Sequence, residues 1–317
     1  GRTELGLESA HASVAPEKPL TDKLEFTGER FTPECVREIR YEHFHRYAFA
    51  RELVAGRRVL DAACGEGYGS VLLAASAAAV TGVDRSEESI AHARSRYQAA
   101  NLDFQAADCL DLPYADDHFD CVVSFETLEH LADHDRLMRE FRRVLQPDGF
   151  LLLSSPDRAV YSEKQQNRNE FHVRELYRDE LENLLGEHFP AYRLYGQKLL
   201  FQSAIWSLDG APGVGLLQDT GDEVEAIDAP GHEPVYFIAL CAAEEACLPR
   251  VSIGLSLFDD AGESVYRHYY HEIRKNMAAG EILLERDREI EALRAALQAN
   301  GPARPRPPWW RRLLGGP

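Results

Sequence analysis

Val59-Leu60-Asp61-Ala62-Ala63-Cys64-Gly65-Glu66-Gly67-Tyr68-Gly69-Ser70 reads as an apolar strand running straight into a glycine loop, and the acid on that strand decides how the loop is interpreted. A loop made for a dinucleotide sets bare backbone N–H groups against a pyrophosphate at a helix N-terminus, with glycines spaced G-x-G-x-x-G. Here the glycines fall as G-x-G-x-G, behind Asp61. A carboxylate at that point repels a pyrophosphate and attracts an ammonium, so the loop is expected to hold an amino-acid moiety free of phosphate.

Two further strands extend the pattern. Ala79-Val80-Thr81-Gly82-Val83-Asp84 closes on an acid at the distance past the loop, about 20 residues, where doubly wound sheets place the acceptor for ribose hydroxyls. Leu102-Asp103-Phe104-Gln105-Ala106-Ala107-Asp108 closes on an acid suited to an adenine amino group. Three acids following three strands outline an adenosine with a positively charged tail, which is the make-up of S-adenosylmethionine.

On these residues the chain resembles the class I S-adenosylmethionine-dependent methyltransferases. The resemblance rests on D-x-x-C-G-x-G-x-G at 61–69, Asp84, the pair Asp108-Cys109, Phe119-Asp120-Cys121-Val122-Val123-Ser124 and Arg143-Val144-Leu145-Gln146-Pro147-Asp148-Gly149, and spans roughly residues 25–245. More narrowly, Thr27-Gly28-Glu29-Arg30-Phe31, Tyr41-Glu42-His43-Phe44-His45-Arg46-Tyr47, Ser155-Pro156-Asp157 and Phe171-His172-Val173 are similar to methyltransferase modules that accompany glycosyltransferases in bacterial surface-polysaccharide assembly. The resemblance implies an α/β, Rossmann-like fold: a seven-stranded, mostly parallel sheet with an antiparallel C-terminal edge pair. It implies that Asp61, Gly65 and Gly67 hold the methionine portion of the cofactor, Asp84 the ribose, and Asp108 with Cys109 the adenine, with Cys64 and Phe125 also at the cofactor.

Bulk properties narrow the partners. The chain of 317 residues is 44% hydrophobic and 28% charged, enough for one full α/β core with residues to spare. Its net charge of −18 disfavours tracking a phosphate backbone, so no nucleic-acid partner is expected. The six cysteines, Cys35, Cys64, Cys109, Cys121, Cys241 and Cys247, form no C-x-x-C pair and sit largely in apolar text, which points to a reducing cytoplasm. No apolar run reaches the length of a membrane span and no secretory leader is visible; Gly1, lacking an initiator methionine, does not read as the natural start.

The organisation expected is a loose lead-in over 1–24, a methyltransferase domain over 25–250, a helical extension over 251–299 and a Pro/Arg/Trp-rich tail over 300–317. Helices from Pro33 to Val54 precede the sheet. Strands are expected at 58–64, 79–85, 102–108, 119–125 and 149–155, alternating with helices as parallel crossovers do, then an antiparallel pair at 192–200 and 235–242. Residues 207–232, rich in Gly, Asp and Pro, read as a flexible insertion over the substrate cleft. Met277, Leu283, Leu284, Ile290, Leu293 and Leu297 mark an apolar stripe on a helix dense in Glu and Arg. It reads equally as a helix packed on its own domain or as a short coiled coil making a homodimer or docking a glycosyltransferase. The tail, with Trp309-Trp310-Arg311-Arg312-Leu313-Leu314, has the composition of a peripheral membrane contact and equally of a disordered end.

The chemistry is expected beyond the fourth strand, where open α/β sheets bind their ligands. With a helix starting near Phe125, Glu126, Glu129 and His130 fall at i, i+3 and i+4 and share one face. The trio reads as a partial shell for Mg2+ or Mn2+, with His172 as the fourth ligand; as a lone general base, His130; or as acids that merely complement a helix dipole. The E-x-x-E-H run with a later histidine is similar to metal-dependent O-methyltransferases acting on vicinal hydroxyls. Tyr41, His45 and Arg46 read either as closing the cofactor site or as a solvated helix face, and Arg30 as reaching an anion or pairing at the surface. The function expected is O-methylation of a sugar hydroxyl of a bacterial surface glycan or its precursor. A quinone-type phenol or RNA terminus as acceptor, and a scaffold docking partners through its C-terminal helix, stand as the alternatives.

Overall fold

The structure, a computed structural model, describes residues 38–205, 214–221, 223–299 and 301. The lead-in, the T-G-E-R-F motif with Arg30, Cys35 and the Trp-bearing tail lie outside the described residues. Helix α1 (Glu38–Leu53) leads into β1 (Arg58–Ala62), α2 (Tyr68–Ala74), β2 (Ala79–Asp84), α3 (Glu87–Arg96), β3 (Leu102–Ala106), β4 (Phe119–Phe125), α4 (His134–Val144), β5 (Leu145–Pro156), α5 (Arg178–His188) and β6 (Ala191–Gln197). A hairpin of β7 (Leu216–Asp219) and β8 (Val224–Ile227) precedes β9 (Tyr236–Ala242), and α6 (Ser264–Ala299) follows.

Seven strands form one sheet in the order β3-β2-β1-β4-β5-β9-β6. The first five run parallel; β9 lies antiparallel between β5 and β6. This is the Rossmann-like, mostly parallel architecture expected. Burial on both faces explains why the central strands are continuous apolar runs. On one face Leu60, Val122, Leu151 and Leu153 pack with Leu137, Met138 and Phe141 of α4 and Leu181 and Leu185 of α5. On the other, Val59, Cys121, Val123, Phe150 and Leu152 pack with Tyr47, Ala50 and Val54 of α1 and its end, and Tyr68 and Leu73 of α2.

The main departures from expectation are three. Strand β1 stops at Ala62 because Ala63 turns left-handed at φ 60°. Strand β5 begins four residues early, at Leu145, and a register shift against β4 between Phe119 and Cys121 absorbs the extra residues. The insertion is not structureless: β7 and β8 pair in antiparallel register within it.

Helix α2 docks under α1 through a glycine. A Cβ at Gly69 would lie 2.0 Å from Cζ of the Tyr47 ring, so Gly69→Ala must push that ring out of the core. The substitution is expected to cost about 3 kcal/mol and lower the thermal midpoint by on the order of 10 °C, read by calorimetry.

The chain divides into two compact units, one from Glu42 to Ser256 and a second that takes in Leu257 onward with the first turn of α1 up to Tyr41. In the second, Tyr41 donates to Asp259 Oδ1 at 3.1 Å and meets Phe258 edge-on. Asp260 accepts from the Ser264 backbone N–H at 3.1 Å and so caps α6. Along α6 the apolar side chains Met277, Leu283, Leu284, Ile290, Leu293 and Leu297 are exposed. No described helix is long and apolar enough to cross a membrane. The described cysteines are free thiols.

Candidate active site

The glycine loop, Ala63–Gly67, is bent by three left-handed residues: Ala63 at φ 60°, Gly65 at 57° and Gly67 at 90°. Gly67 is fixed by packing, since a Cβ there would meet the Phe104 ring at 2.6 Å, whereas a Cβ at Gly65 would meet nothing within 4 Å. Open space at Gly65 is what close backbone approach to a ligand requires. Asp84 shapes the same loop: its Oδ2 accepts from the Gly65 N–H at 3.0 Å and its Oδ1 from the Ser86 N–H at 2.9 Å. Asp108 is exposed beyond β3, with Oδ1 accepting from the Leu110 N–H at 2.9 Å. Cys64 and Cys109 are buried thiols, and burial pushes Cys109 up to about 12.

Asp61 sits below the loop rather than open to it. It is fully buried, with Oδ1 accepting from the Tyr47 hydroxyl at 3.1 Å and Oδ2 from Ser70 Oγ at 2.6 Å. Burial pushes its carboxyl up to about 7, although both hydrogen bonds pull the other way. The residue thus joins α1 and α2 to the end of β1, and burial there favours its neutral form until a cation comes near. Tyr47, the partner from α1, belongs to the Tyr41–Tyr47 motif, whose local text gives no sign of this bond to Asp61.

At the end of β4 the expected helix does not form. The strand runs through Phe125, a buried residue, Glu126 turns left-handed at φ 52°, and only a single 3-10 turn, Leu128–His130, follows. Glu126, Glu129 and His130 therefore do not share a helical face. Glu126 is drawn aside: its Oε1 accepts from Ser154 Oγ at 2.7 Å and lies 3.3 Å from Arg46 Nη1.

Glu129, His130 and His172 do come together, each offering a ligand atom within 4.8 Å of the others. The backbone brings them there, because the Glu129 carbonyl accepts from the N–H groups of both Val173 and Arg174, at 2.8 and 3.0 Å. His130 Nδ1 donates to the Phe171 carbonyl at 3.0 Å, and His172 Nδ1 donates to Glu175 Oε1 at 2.5 Å. Tyr161, carried on a π turn over Ala159–Lys164, stacks on the His172 ring at 5.4 Å. Glu129 is fully buried and neither of its oxygens finds a hydrogen-bond partner on a neighbouring residue. Burial, and then the charge of Glu126, hold its carboxyl well above the usual range.

Arg46 is a further buried charged group at this end of the sheet. Its Nε donates to Gln197 Oε1 at 2.6 Å and its guanidinium lies 4.4 Å over the Tyr236 ring. Nη1 and Nη2 make no hydrogen bond among the described residues. Of the three α1 residues expected to close the cofactor site, Tyr41 is turned to Asp259 and His45 pairs with Ser256 at 2.9 Å. Arg46 reaches Glu126 at the end of β4, and its burial overturns the reading of a solvated helix face at that position.

Residues 60–153, which contain the loop, β2, β3, β4 and most of β5, match the family described as "Methyltransferase domain". With the sheet order above, this match gives the chain a Rossmann-like methyltransferase fold. It is 39% identical over 173 residues to a probable S-adenosylmethionine-dependent methyltransferase of Mycolicibacterium smegmatis, a match covering 54% of this chain and 66% of that protein. A probable S-adenosylmethionine-dependent methyltransferase of Mycobacterium tuberculosis is 41% identical over 177 residues, covering 55% and 62%. A ubiquinone biosynthesis O-methyltransferase of Rhizobium leguminosarum is 32% identical over 127 residues, covering 39% and 50%. The chain thus spans less than two thirds of the length of these relatives. The sheet places the glycine loop beyond β1 and the Glu129 cluster beyond β4, on neighbouring strands.

Proposed function

We propose that this chain is an S-adenosylmethionine-dependent O-methyltransferase that acts on a sugar hydroxyl of a bacterial surface glycan or its precursor, with a divalent cation held by Glu129, His130 and His172. The observation that carries the reading is the buried Glu129 carboxylate, without a partner and set beside two histidines. An orphaned buried carboxylate is costly to keep, and a cation is the partner its surroundings fit. Nδ1 of His130 is engaged by a backbone carbonyl and Nδ1 of His172 by a carboxylate, the kind of second bond that orients a ligating imidazole. The donor set of one carboxylate and two imidazoles suits a first-row transition cation such as Mn2+ better than Mg2+, with positions left for an acceptor. Such a cation supplies Lewis acidity, which matters because a sugar hydroxyl is a weak nucleophile at neutral pH.

The loop fits the cofactor by its open face at Gly65 and by the Asp84 and Asp108 carboxylates beside it. When bound, S-adenosylmethionine supplies an electrophilic methyl group on a sulfonium. Asp61 offers its ammonium a buried carboxyl, and Arg46 offers its carboxylate Nη2, which makes no hydrogen bond among the described residues. Glu126 orients Arg46, and the protein's task is to align the acceptor oxygen with the methyl.

The likeness to a ubiquinone biosynthesis O-methyltransferase, together with the Tyr161 and Tyr236 rings set 5.8 Å apart, supports a quinone-type phenol as second acceptor class. The test is methyl transfer from labelled S-adenosylmethionine to deoxysugar glycosides, polysaccharide and a catechol, with Mn2+ or with EDTA. Transfer to the sugars that chelation suppresses at least tenfold is the expected result. Transfer to the catechol alone overturns the sugar assignment, and activity indifferent to EDTA overturns the cation.

A further inference from the structure

The residue between the first two glycines of the loop is a buried acid. Glu66 is 1% exposed, and its carboxylate is turned away from the loop into α3. Oε2 lies 3.0 Å from His92 Nε2 and 3.5 Å from Arg96 Nη1, and Oε1 accepts from the Tyr97 hydroxyl at 3.2 Å. Three side chains from the last turns of α3 and its C-cap thus converge on one residue of the loop.

The loop needs such a hold. Three left-handed residues in five is a shape that a free chain does not keep, because glycine has the most conformational freedom to lose and alanine is strained at φ 60°. Its flanks are tied on the β2 side, by the Cys64 N–H to the Val83 carbonyl at 2.9 Å and the Gly65 N–H to Asp84. Glu66 supplies the tie on the α3 side, between Gly65, open to ligand, and Gly67, closed against Phe104 and Ala93. A carboxylate buried with a guanidinium, an imidazole and a phenol around it is held more firmly than an exposed one.

We infer that Glu66 is a positioning residue for cofactor binding, which clamps the glycine loop to α3 and holds Gly65 in its ligand-receiving shape. The inference rests on the cofactor reading above, and its test separates the two. S-adenosylhomocysteine is titrated calorimetrically into the full chain and into Glu66→Gln and Glu66→Ala, with the thermal midpoint and Mn2+ affinity by paramagnetic resonance measured on each. Glutamine keeps the size and an acceptor for Tyr97 but loses the charge. About a tenfold loss of affinity for glutamine and about a hundredfold for alanine are expected, with Mn2+ affinity unchanged in both. Affinity within twofold of wild type in either folded variant overturns the clamp, as does equal weakening of both ligands. A wild-type chain that does not bind S-adenosylhomocysteine overturns the cofactor reading itself, and the clamp with it.

Discussion

Glu129→Leu is expected to lower methyl transfer by about a thousandfold while making the cation-free protein harder to unfold. The two effects have one cause. Glu129 is buried with both oxygens unpartnered, so in the absence of a cation it is a cost to the fold, and an apolar side chain of similar volume removes that cost. The loss of activity follows from removing a ligand: Lewis-acid assistance is worth several kcal/mol, and each 1.4 kcal/mol or so is a factor of ten in rate. Mn2+ titration by paramagnetic resonance, steady-state rates and a thermal scan in EDTA check the three parts. A variant that loses stability in EDTA, or keeps wild-type activity with Mn2+, removes the cation from Glu129.

Affinity for S-adenosylhomocysteine is expected to rise as pH increases from 5.5 to 8, by up to tenfold per unit below about pH 7. Burial raises Asp61 to about 7, so near neutrality much of it is protonated in the ligand-free chain. An ammonium favours the ionised form, and binding therefore expels a proton at low pH. The sign for folding runs opposite. Because the folded pKa lies above the ordinary value, the stability linked to Asp61 is fully present below about pH 4 and is lost as pH rises through about 7. The ligand thus raises the thermal midpoint more at pH 8 than at pH 6. Asp61→Asn is expected to weaken binding by about one to two orders of magnitude and to flatten the pH profile. A calorimetric profile for the wild type that is level from pH 5.5 to 8 contradicts the role given to this carboxylate.

The strands were legible because their apolar runs are buried on both faces, a pattern that length and bounding acids or glycines identify without tertiary knowledge. What the local text does not carry is where polar side chains go. Arg46 lies in a helix with charged neighbours, and its burial depends on Gln197 and Tyr236, which come from β6 and β9 far along the chain. Glu126 fits an i, i+3, i+4 helical spacing, but strand pairing holds β4 extended through Phe125, and Ser154 on β5 takes the carboxylate. His172 was placed beside His130 by likeness of motif alone; the bonds that bring it there, to the Glu129 carbonyl, come from the backbone of the two residues after it and leave no trace in side-chain identity. The hairpin of β7 and β8 is not legible locally, because two four-residue strands in a Gly- and Asp-rich stretch look like any polar loop.

Strand β9 sits between β5 and β6 and is, among the described residues, the one sheet partner of β6. During synthesis β6 leaves the ribosome about forty residues ahead of the strand it must pair with, at a pace of 5–20 residues per second. For those seconds the nascent chain displays two unsatisfied strand edges, those of β5 and β6, which are sites for pairing with a neighbouring polypeptide. Release of the chain before Ala242 has emerged leaves that condition permanent, so truncated translation products of this protein are destined for aggregation or proteolysis rather than for a smaller working enzyme.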